Sequence, residues 1–191
     1  MAYPANLAFA GLAAFLLALP LATALGAAVA AARSMDRWLR EGDDAVFTNT
    51  FREFAATWRR TLAPGIGAAA VLGILSVDAV FLWRQLTGGT SPIALVLAAG
   101  TVPVAVAVAL VLLALPVAAA RTPDASVKAW LFEAGYLIAR RPMRAAVLLV
   151  IVMAFTLTCY LLPTAVPFFG LSVPVYLALV ALGDDQASAD T

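Results

Sequence analysis

Long apolar runs, separated by two segments that carry almost all of the charge, constrain this sequence more than any other feature. A helix needs about 20 apolar residues to cross the hydrocarbon core of a bilayer, which is about 30 Å thick. The runs cover residues 7–31, 62–83, 93–120 and 145–183. The sequence therefore predicts an all-α, polytopic membrane helix bundle, in which each of the first three runs crosses once.

The composition supports the membrane as the solvent of this chain. Hydrophobic residues make up 64% of its 191 residues and charged residues 12%. A soluble domain carries about twice this fraction of charge, and a globule of this size has too little interior to bury so much apolar surface. We therefore treat residues 1–191 as a single integral membrane domain.

The last apolar run is too long for one crossing, since it would extend about 58 Å as a continuous helix. Pro163 and Pro167 lie where such a helix should break. We predict a fourth span over residues 145–162 and a short fifth span over residues 166–182. Pro174 weakens the fifth helix, so a re-entrant or surface-lying segment is the alternative.

The basic residues predict which ends of the spans face the cytoplasm. Eleven of the twelve lie in two segments, residues 33–61 and 121–144, and the other is Arg84. Because cytoplasmic loops are enriched in Lys and Arg, both segments are predicted to be cytoplasmic and the N-terminus to be outside. A cleaved signal peptide is the alternative for the first run, but it would have a basic head that this chain lacks.

The first cytoplasmic segment contains an aromatic stripe, in which Phe47, Phe51, Phe54 and Trp58 recur at the spacing of one helix face. The charged residues between them exclude a span, since each costs about 2–3 kcal/mol at the middle of a bilayer. Three placements remain. The stripe lies in the membrane interface, packs against the second amphipathic helix as a cytoplasmic platform, or docks a partner, and we treat it as a candidate cytoplasmic interaction face.

The two cytoplasmic segments are similar to each other at an offset of 80 residues. Each is predicted to be an amphipathic helix with Asp as its N-cap and Arg in its last turn. A parallel duplication of span, helix and span explains the similarity, although any two amphipathic helices share part of this pattern. The aligned identities are Asp44 with Asp124, Ala45 with Ala125, Glu53 with Glu133 and Arg60 with Arg140.

Asp78 is the one acidic residue predicted inside a span. Ionisable residues are costly in a membrane and are therefore functional candidates, so Asp78 could bind a cation, relay a proton or bind a sugar hydroxyl. The structural alternative is that it pairs with Arg84 or reaches interfacial water. Pro20 could free a backbone carbonyl for a polar ligand near Thr23, although neighbouring helices usually absorb such a proline.

Two further patterns concern packing and topology. Small residues four apart let helices approach closely; packing within one chain is the simpler explanation, and a homo-oligomer is the alternative. Arg33, Arg37 and Arg40 fall on one helical face, where nearby acidic residues favour a topology anchor over a lipid-recognition site. The small residues are Ala22, Gly26 and Ala30 in the first span, and Gly65, Ala69 and Gly73 in the second.

Several kinds of chemistry are excluded by the residues that the sequence lacks. It has no His and only one Cys, Cys159, which excludes disulfides within the chain, Cys-based zinc sites and His-based catalysis. It also lacks the G-x-x-x-x-G-K motif that binds phosphates, and a net charge of +1 gives no electrostatic support for a nucleic-acid partner. We predict no catalytic residue, no metal and no cofactor.

Several stretches stand in a familiar order. They are Asn6, the Leu19-Pro20-x-x-Thr23-x-x-Gly26 run, the helix with Phe51, Phe54 and Trp58, the stretch DAVFLW from Asp78, and the turn from Leu115 to Arg121. Over residues 6–182 they resemble the YesL-like family of bacterial membrane proteins (domain of unknown function 624). The resemblance implies a multi-pass inner-membrane protein, often thought to accompany carbohydrate uptake by ABC-type importers, without established catalytic residues.

These observations favour an accessory protein without catalytic activity, which binds another membrane protein such as the permease of a carbohydrate importer. The alternative is a self-contained carrier or channel for small solutes. Its candidate intramembrane polar site combines Asp78, Thr23 and Asn6, but few other polar residues lie inside the predicted spans. The lipid bilayer is the only partner that the residues predict without the resemblance.

Overall fold

The computed structural model describes residues 3–87 and 92–183, and within them the chain forms helices without any strand. The all-α prediction is therefore confirmed for the described residues. Short 3-10 turns at Leu21–Thr23 and Pro163–Ala165 precede α2 and α7. The eight α-helices are α1 (Tyr3–Ala18), α2 (Ala24–Glu41), α3 (Val46–Thr87), α4 (Pro92–Arg121), α5 (Val127–Arg140), α6 (Pro142–Leu161), α7 (Val166–Phe169) and α8 (Ser172–Gly183).

The first apolar run folds into two helices, not one. α1 ends at Ala18, and the chain turns through Pro20 and the 3-10 segment before α2 begins. Proline has no N–H with which to continue the helix, and its ring clashes with the preceding turn. The single span expected over residues 7–31 is therefore divided into two helices at Pro20, where the sequence interrupts the apolar run.

α1 and α2 form an antiparallel hairpin. The two helices pack against each other, and Asn6 Nδ2, near the start of α1, donates a hydrogen bond to Asp44 Oδ1, just after the end of α2, at 2.8 Å. Asn6 thus lies at the same end of the molecule as the first basic segment. This contact conflicts with the expectation that the N-terminus and that segment lie on opposite sides of the membrane.

α3 joins the first amphipathic segment to the second predicted span in one helix of 42 residues. At 1.5 Å per residue it is about 63 Å long, about twice the thickness of the bilayer core. Both predicted segments are helical, but no turn separates them. Pro64 lies inside this helix without ending it.

α3 runs antiparallel to α2. Ser34 Oγ donates a hydrogen bond to the Val46 carbonyl at 2.9 Å, and a Cβ added to Gly65 would lie 2.3 Å from the Ala22 carbonyl oxygen. Early residues of α3 therefore meet late residues of α2, and Gly65 meets the α1–α2 turn. Residues 66–87 extend beyond that turn.

The second half resembles the first, with the two helices α5 and α6 in place of the single helix α3. α5 packs against α4, and α6 begins at Pro142, immediately after Arg141. Proline favours the first position of a helix and disfavours helical geometry in the residue before it. Ser126 caps α5 by accepting a hydrogen bond from the Ala129 N–H at 3.3 Å, so the predicted cap at Asp124 was wrong.

Three helical stretches of the described residues are long and apolar enough to cross a membrane: Val46–Gln85, Leu95–Arg121 and Pro142–Leu161. A fourth is added if Pro163–Phe169 and Ser172–Gly183, which are bent by 53°, count as one broken span. The class of membrane helix bundle is supported, whereas four firm spans with a short fifth are not confirmed. The bent pair is compatible with a broken span and with the predicted re-entrant alternative.

α2 lies at the centre of the bundle, where it packs against α1, α3, α4 and α8. The buried residues of its face and of the end of α4 are largely alanines, which let the helix axes approach closely. The largest fully buried side chains among the described residues are Trp130, Met35 and Leu137.

Candidate functional site

Arg33 connects the ends of four helices. Its Nε donates a hydrogen bond to the Ala119 carbonyl at 3.1 Å and its Nη2 to the Pro123 carbonyl at 2.9 Å. Its Nη1 lies 3.6 Å from Glu53 Oε2, and its guanidinium carbon lies 5.4 Å from the ring centroid of Trp130. Arg33 of α2 thus joins α3 and α5 to the carbonyl end of α4, where a cation is favoured by the helix dipole.

Burial lowers the pKa of Arg33, and the charge and hydrogen bond of Glu53 oppose this shift, with a smaller contribution from Asp124. Arginine nevertheless stays protonated in proteins. Arg33 is therefore a fixed cation at neutral pH. Its role is structural or electrostatic and not acid–base.

The other two arginines of this face of α2 are also paired. Arg37 Nη2 donates to Glu53 Oε1, so one carboxylate holds two arginines. Arg40 Nε pairs with Asp36 one turn away, at 2.9 Å. The face that the sequence presents as a run of basic residues is therefore engaged in ion pairs within the chain.

Arg121 makes a second connection of the same kind. Its Nη2 donates to the Leu182 carbonyl at 2.9 Å and the Gly183 carbonyl at 2.8 Å, at the end of α8. Its Nη1 lies 3.8 Å from Glu133 Oε1 of α5. The two aligned glutamates, Glu53 and Glu133, thus both point inward to an arginine of the preceding helix.

The turn between α2 and α3 is fixed by Asp43. Its carboxylate accepts hydrogen bonds from the Ala45 N–H at 3.1 Å and from Asn49 Nδ2 at 2.6 Å. These bonds, the backbone one first, lower the pKa of Asp43. The carboxylate therefore favours the folded turn above the ordinary pKa of aspartate, and this contribution is lost as the pH falls through the lowered value.

The three residues of the candidate intramembrane polar site do not come together. Asn6 binds Asp44 at the charged end, and the Thr23 hydroxyl donates to the Leu17 and Pro20 carbonyls at the opposite end of α1, about 24 Å away along that helix. Asp78 lies about 20 Å further along α3 than Gly65. The Thr23 bonds satisfy the carbonyls that the α1–α2 turn leaves open, so the sequence expectation of a ligand there has no support.

Asp78 lines a separate cleft of about 410 Å³ between α3 and α4. The side chain is half-buried, and Thr101 contributes the other polar side chain of the lining. The remaining lining is apolar apart from the backbone at Gly100, where no atom lies within 4 Å of an added Cβ. The cleft could accept a small polar group beside an apolar one.

The aromatic stripe of α3 is partly covered by its own chain. Phe47, Phe51 and Phe54 are half-buried, and Phe54 is within 3.1 Å of the position of a Cβ added to Gly26. Trp58 is exposed and has the Arg59 guanidinium 5.5 Å from its ring centroid. The stripe therefore packs in part on α2, and mainly Trp58 remains open to a partner.

A threonine stripe of α3, which the sequence analysis missed, is the face that is fully buried. Thr50, Thr57 and Thr61 are all buried, and each hydroxyl donates to a carbonyl of its own helix. Such bonds let a threonine occupy an apolar interface without an unpaired hydroxyl. The helical spacing of these threonines could have predicted a buried face. The larger aromatic residues beside them form a more prominent stripe in the sequence.

The small residues of α2 and α3 pack against each other within one chain. A Cβ added to Gly26 would lie 2.7 Å from Thr61 Oγ1, and one added to Gly65 would lie 2.3 Å from the Ala22 carbonyl oxygen. These contacts agree with the simpler of the two predicted explanations. They leave Gly67 and Gly73 open, because no atom lies within 4 Å of a Cβ added to either.

An apolar cavity of about 450 Å³ lies above this contact, between α2, α3, α4 and α8. Gly73 and Ser76 of α3, Pro116 of α4 and Pro174 of α8 are among its lining residues. The Ser76 hydroxyl donates to the Leu72 carbonyl at 2.7 Å. The cavity therefore suits an apolar chain better than a polar solute.

The described residues contain no group of three or more His, Cys, Asp or Glu side chains that could hold a metal ion. The two aligned amphipathic segments do not lie side by side as a platform, because α3 packs mainly on α2 and α5 on α4. Comparisons with protein families, curated proteins and solved structures found no match to this chain.

Proposed function

We propose that this chain is a multi-pass protein of the bacterial inner membrane, without catalytic activity, that serves as an accessory subunit of another membrane protein. The proposed partner is the permease of an ABC-type carbohydrate importer. Both basic segments would face the cytoplasm, where the arginine network ties the helix ends together. The polar side chains of that network would then serve assembly and not a reaction.

The observation that carries this proposal is the isolation of α3 beyond Gly65. Only 11% of the most apolar stretch of this helix is buried, as in α6, against 33% for α4. Large apolar side chains are exposed along one face of it, among them Ile74, Val77 and Phe81. Lipid can solvate such a helix, but a second membrane protein would gain extensive van der Waals contact there, which drives helix association in membranes.

The choice of a carbohydrate importer depends on the resemblance to the YesL-like family. The association of that family with carbohydrate uptake is itself an expectation. For this chain it is proposed on the resemblance alone. The open glycine at position 67 adds a structural reason for a helical partner, since small residues permit close approach of a second helix.

A pull-down from native membranes in mild detergent tests the proposal. We expect importer permease subunits to remain bound in stoichiometric amount and to be identified by mass spectrometry. Recovery of the chain alone, or only as a homo-oligomer, would refute the accessory role.

The second candidate is a carrier or channel for small solutes, which the placement of Asp78 beside Thr101 in one cleft favours. The carrier account predicts that Asp78→Asn is expressed normally but abolishes uptake in cells that depend on this protein. The accessory account predicts normal expression and normal uptake. Arg84→Gln, one turn and a half further along α3, is the matched control for a change of charge at that end.

A further inference from the structure

The outer face of α5 combines exposed aromatic and basic side chains. Lys128, Phe132, Tyr136 and Arg140 recur four apart, which places them on one stripe of the helix. Phe132 is 72% exposed and Tyr136 57% exposed. The opposite face, with Trp130, Ala134 and Leu137, is buried in the bundle, so this stripe points away from the protein.

The position of α5 in the chain puts it beside the membrane surface. It begins six residues after Arg121, where the candidate span of α4 ends, and it is separated from the candidate span of α6 only by Arg141. Because both of its ends connect to candidate spans, we place α5 at the level of the lipid headgroups. Aromatic side chains with a polar tip, such as Tyr136, favour that level.

The charge of this segment is favourable for anions on its outer side. Residues 122–144 contain four basic residues, Lys128, Arg140, Arg141 and Arg144, against two acidic ones, Asp124 and Glu133. Glu133 faces Arg121, and Asp124 lies within electrostatic reach of Arg33. Both acidic side chains therefore interact with arginines of other helices, and the four positions of the outer stripe hold no acidic residue.

We infer that the outer face of α5 binds the headgroups of anionic phospholipids. Lys128 at the start of α5 and Arg144 in the first turn of α6, both exposed, would contact lipid phosphates, while Phe132 and Tyr136 would enter the boundary of the acyl chains. The lipid is favoured over a protein because the stripe is continuous with the start of a candidate span. The inference is independent of the accessory role, since it needs no partner protein.

The test is the ratio of phosphatidylglycerol to phosphatidylcholine that remains bound to the purified chain after exchange from an equimolar lipid mixture into detergent. Lipid mass spectrometry measures this ratio. We expect Lys128→Gln and Arg144→Gln each to lower it about fivefold, since a basic residue near the surface attracts anionic lipid to about this extent. Arg84→Gln, which removes an exposed charge far from α5, should leave the ratio unchanged.

The wild-type chain provides a second test that does not depend on the folding of any variant. Its preference for phosphatidylglycerol should fall steeply as the salt concentration rises from 0.05 to about 0.5 M, because salt screens exposed charges. A ratio that is insensitive to salt, or unchanged in both Lys128→Gln and Arg144→Gln, would overturn the inference. An equal fall of the ratio in Arg84→Gln would also overturn it. A photo-crosslinker at position 132 that captures protein and not lipid would do the same.

Discussion

Arg33 shows how a single side chain can decide the assembly of this bundle. Its guanidinium binds two carbonyls at the end of α4 while it pairs with Glu53 of α3. Hydrogen bonds that involve a charged donor contribute about 1.5–3 kcal/mol each. Arg40 has the same chemistry in a different setting, since it pairs with Asp36 of its own helix and is largely exposed.

The comparison of Arg33 and Arg40 gives the first prediction. Arg33→Ala should lower the free energy of unfolding by about 2–3 kcal/mol, because it leaves the Ala119 and Pro123 carbonyls without this donor. Arg40→Ala should cost under about 1 kcal/mol, as is usual for an exposed ion pair. Thermal unfolding in mild detergent, followed by size-exclusion fluorescence, measures both. Equal losses in the two variants would contradict the role assigned to Arg33.

The sequence predicted that the arginines belong to cytoplasmic segments but could not assign their partners. Topology rules count charges near span ends, whereas the partners of Arg33 and Arg121 are backbone carbonyls more than 60 residues away in the chain. Asn6 and Thr23 illustrate the same limit. They were grouped with Asp78 as polar residues near spans, and only the fold shows that each of them is bound elsewhere.

At the scale of the helices, the contact between α2 and α3 is set by residues without large side chains. Gly65 meets the backbone of the α1–α2 turn, while Gly67, two residues further along, has no neighbour within 4 Å of an added Cβ. Position 65 of this helix therefore has no room for a side chain, whereas position 67 has.

This difference gives the second prediction. Gly65→Ala should destabilise the fold by about 1–3 kcal/mol, because the added methyl would press against a backbone oxygen that cannot move aside easily. Gly67→Ala should be neutral or stabilising by up to about 1 kcal/mol, since alanine favours a helix over glycine. Measured in the same detergent, the melting temperature should fall for Gly65→Ala and should stay the same or rise for Gly67→Ala. A similar shift of both would argue against the close contact at Gly65.

The helices also show which parts of the fold the sequence could predict. Apolar length predicted α3, α4 and α6 well, because these helices are continuous over their apolar stretches. It failed over residues 7–31, since hydropathy records how long a run is and not whether the chain reverses within it. Pro20 ends a helix there, whereas Pro64 lies inside α3 without ending it, and the tertiary contacts decide between these outcomes.

For the molecule as a whole, the α1–α2 hairpin changes the expected topology. It places Asn6 beside Asp44, at the same end as the basic segment. A single crossing by residues 7–31 would separate these two residues by the thickness of the membrane, about 30 Å.

A pair of engineered cysteines tests this arrangement. Cys159 is the only cysteine of the chain, so Cys159→Ala provides a background without thiols. In it, Asn6→Cys with Asp44→Cys should form a disulfide on mild oxidation, seen as a mobility shift that reductant reverses. Asn6→Cys with Thr87→Cys, at the far end of α3, should not. A disulfide in the second pair, or none in the first, would contradict the hairpin.

The proposed accessory role concerns the surface of α3 that its own bundle leaves open. Val77 lies in the middle of that surface and is 69% exposed, whereas Val117 of α4 is fully buried. A photo-crosslinking residue at position 77 would therefore report on neighbours outside the chain, and one at position 117 on neighbours within it.

Photo-crosslinking at position 77 in living cells is the most direct test of the accessory role. We expect one prominent adduct with a different membrane protein, an importer permease subunit, at position 77 and none with any other protein at position 117. A position-77 variant that captures only lipid, or only a second copy of this chain, would show that α3 is not the binding surface of an accessory subunit.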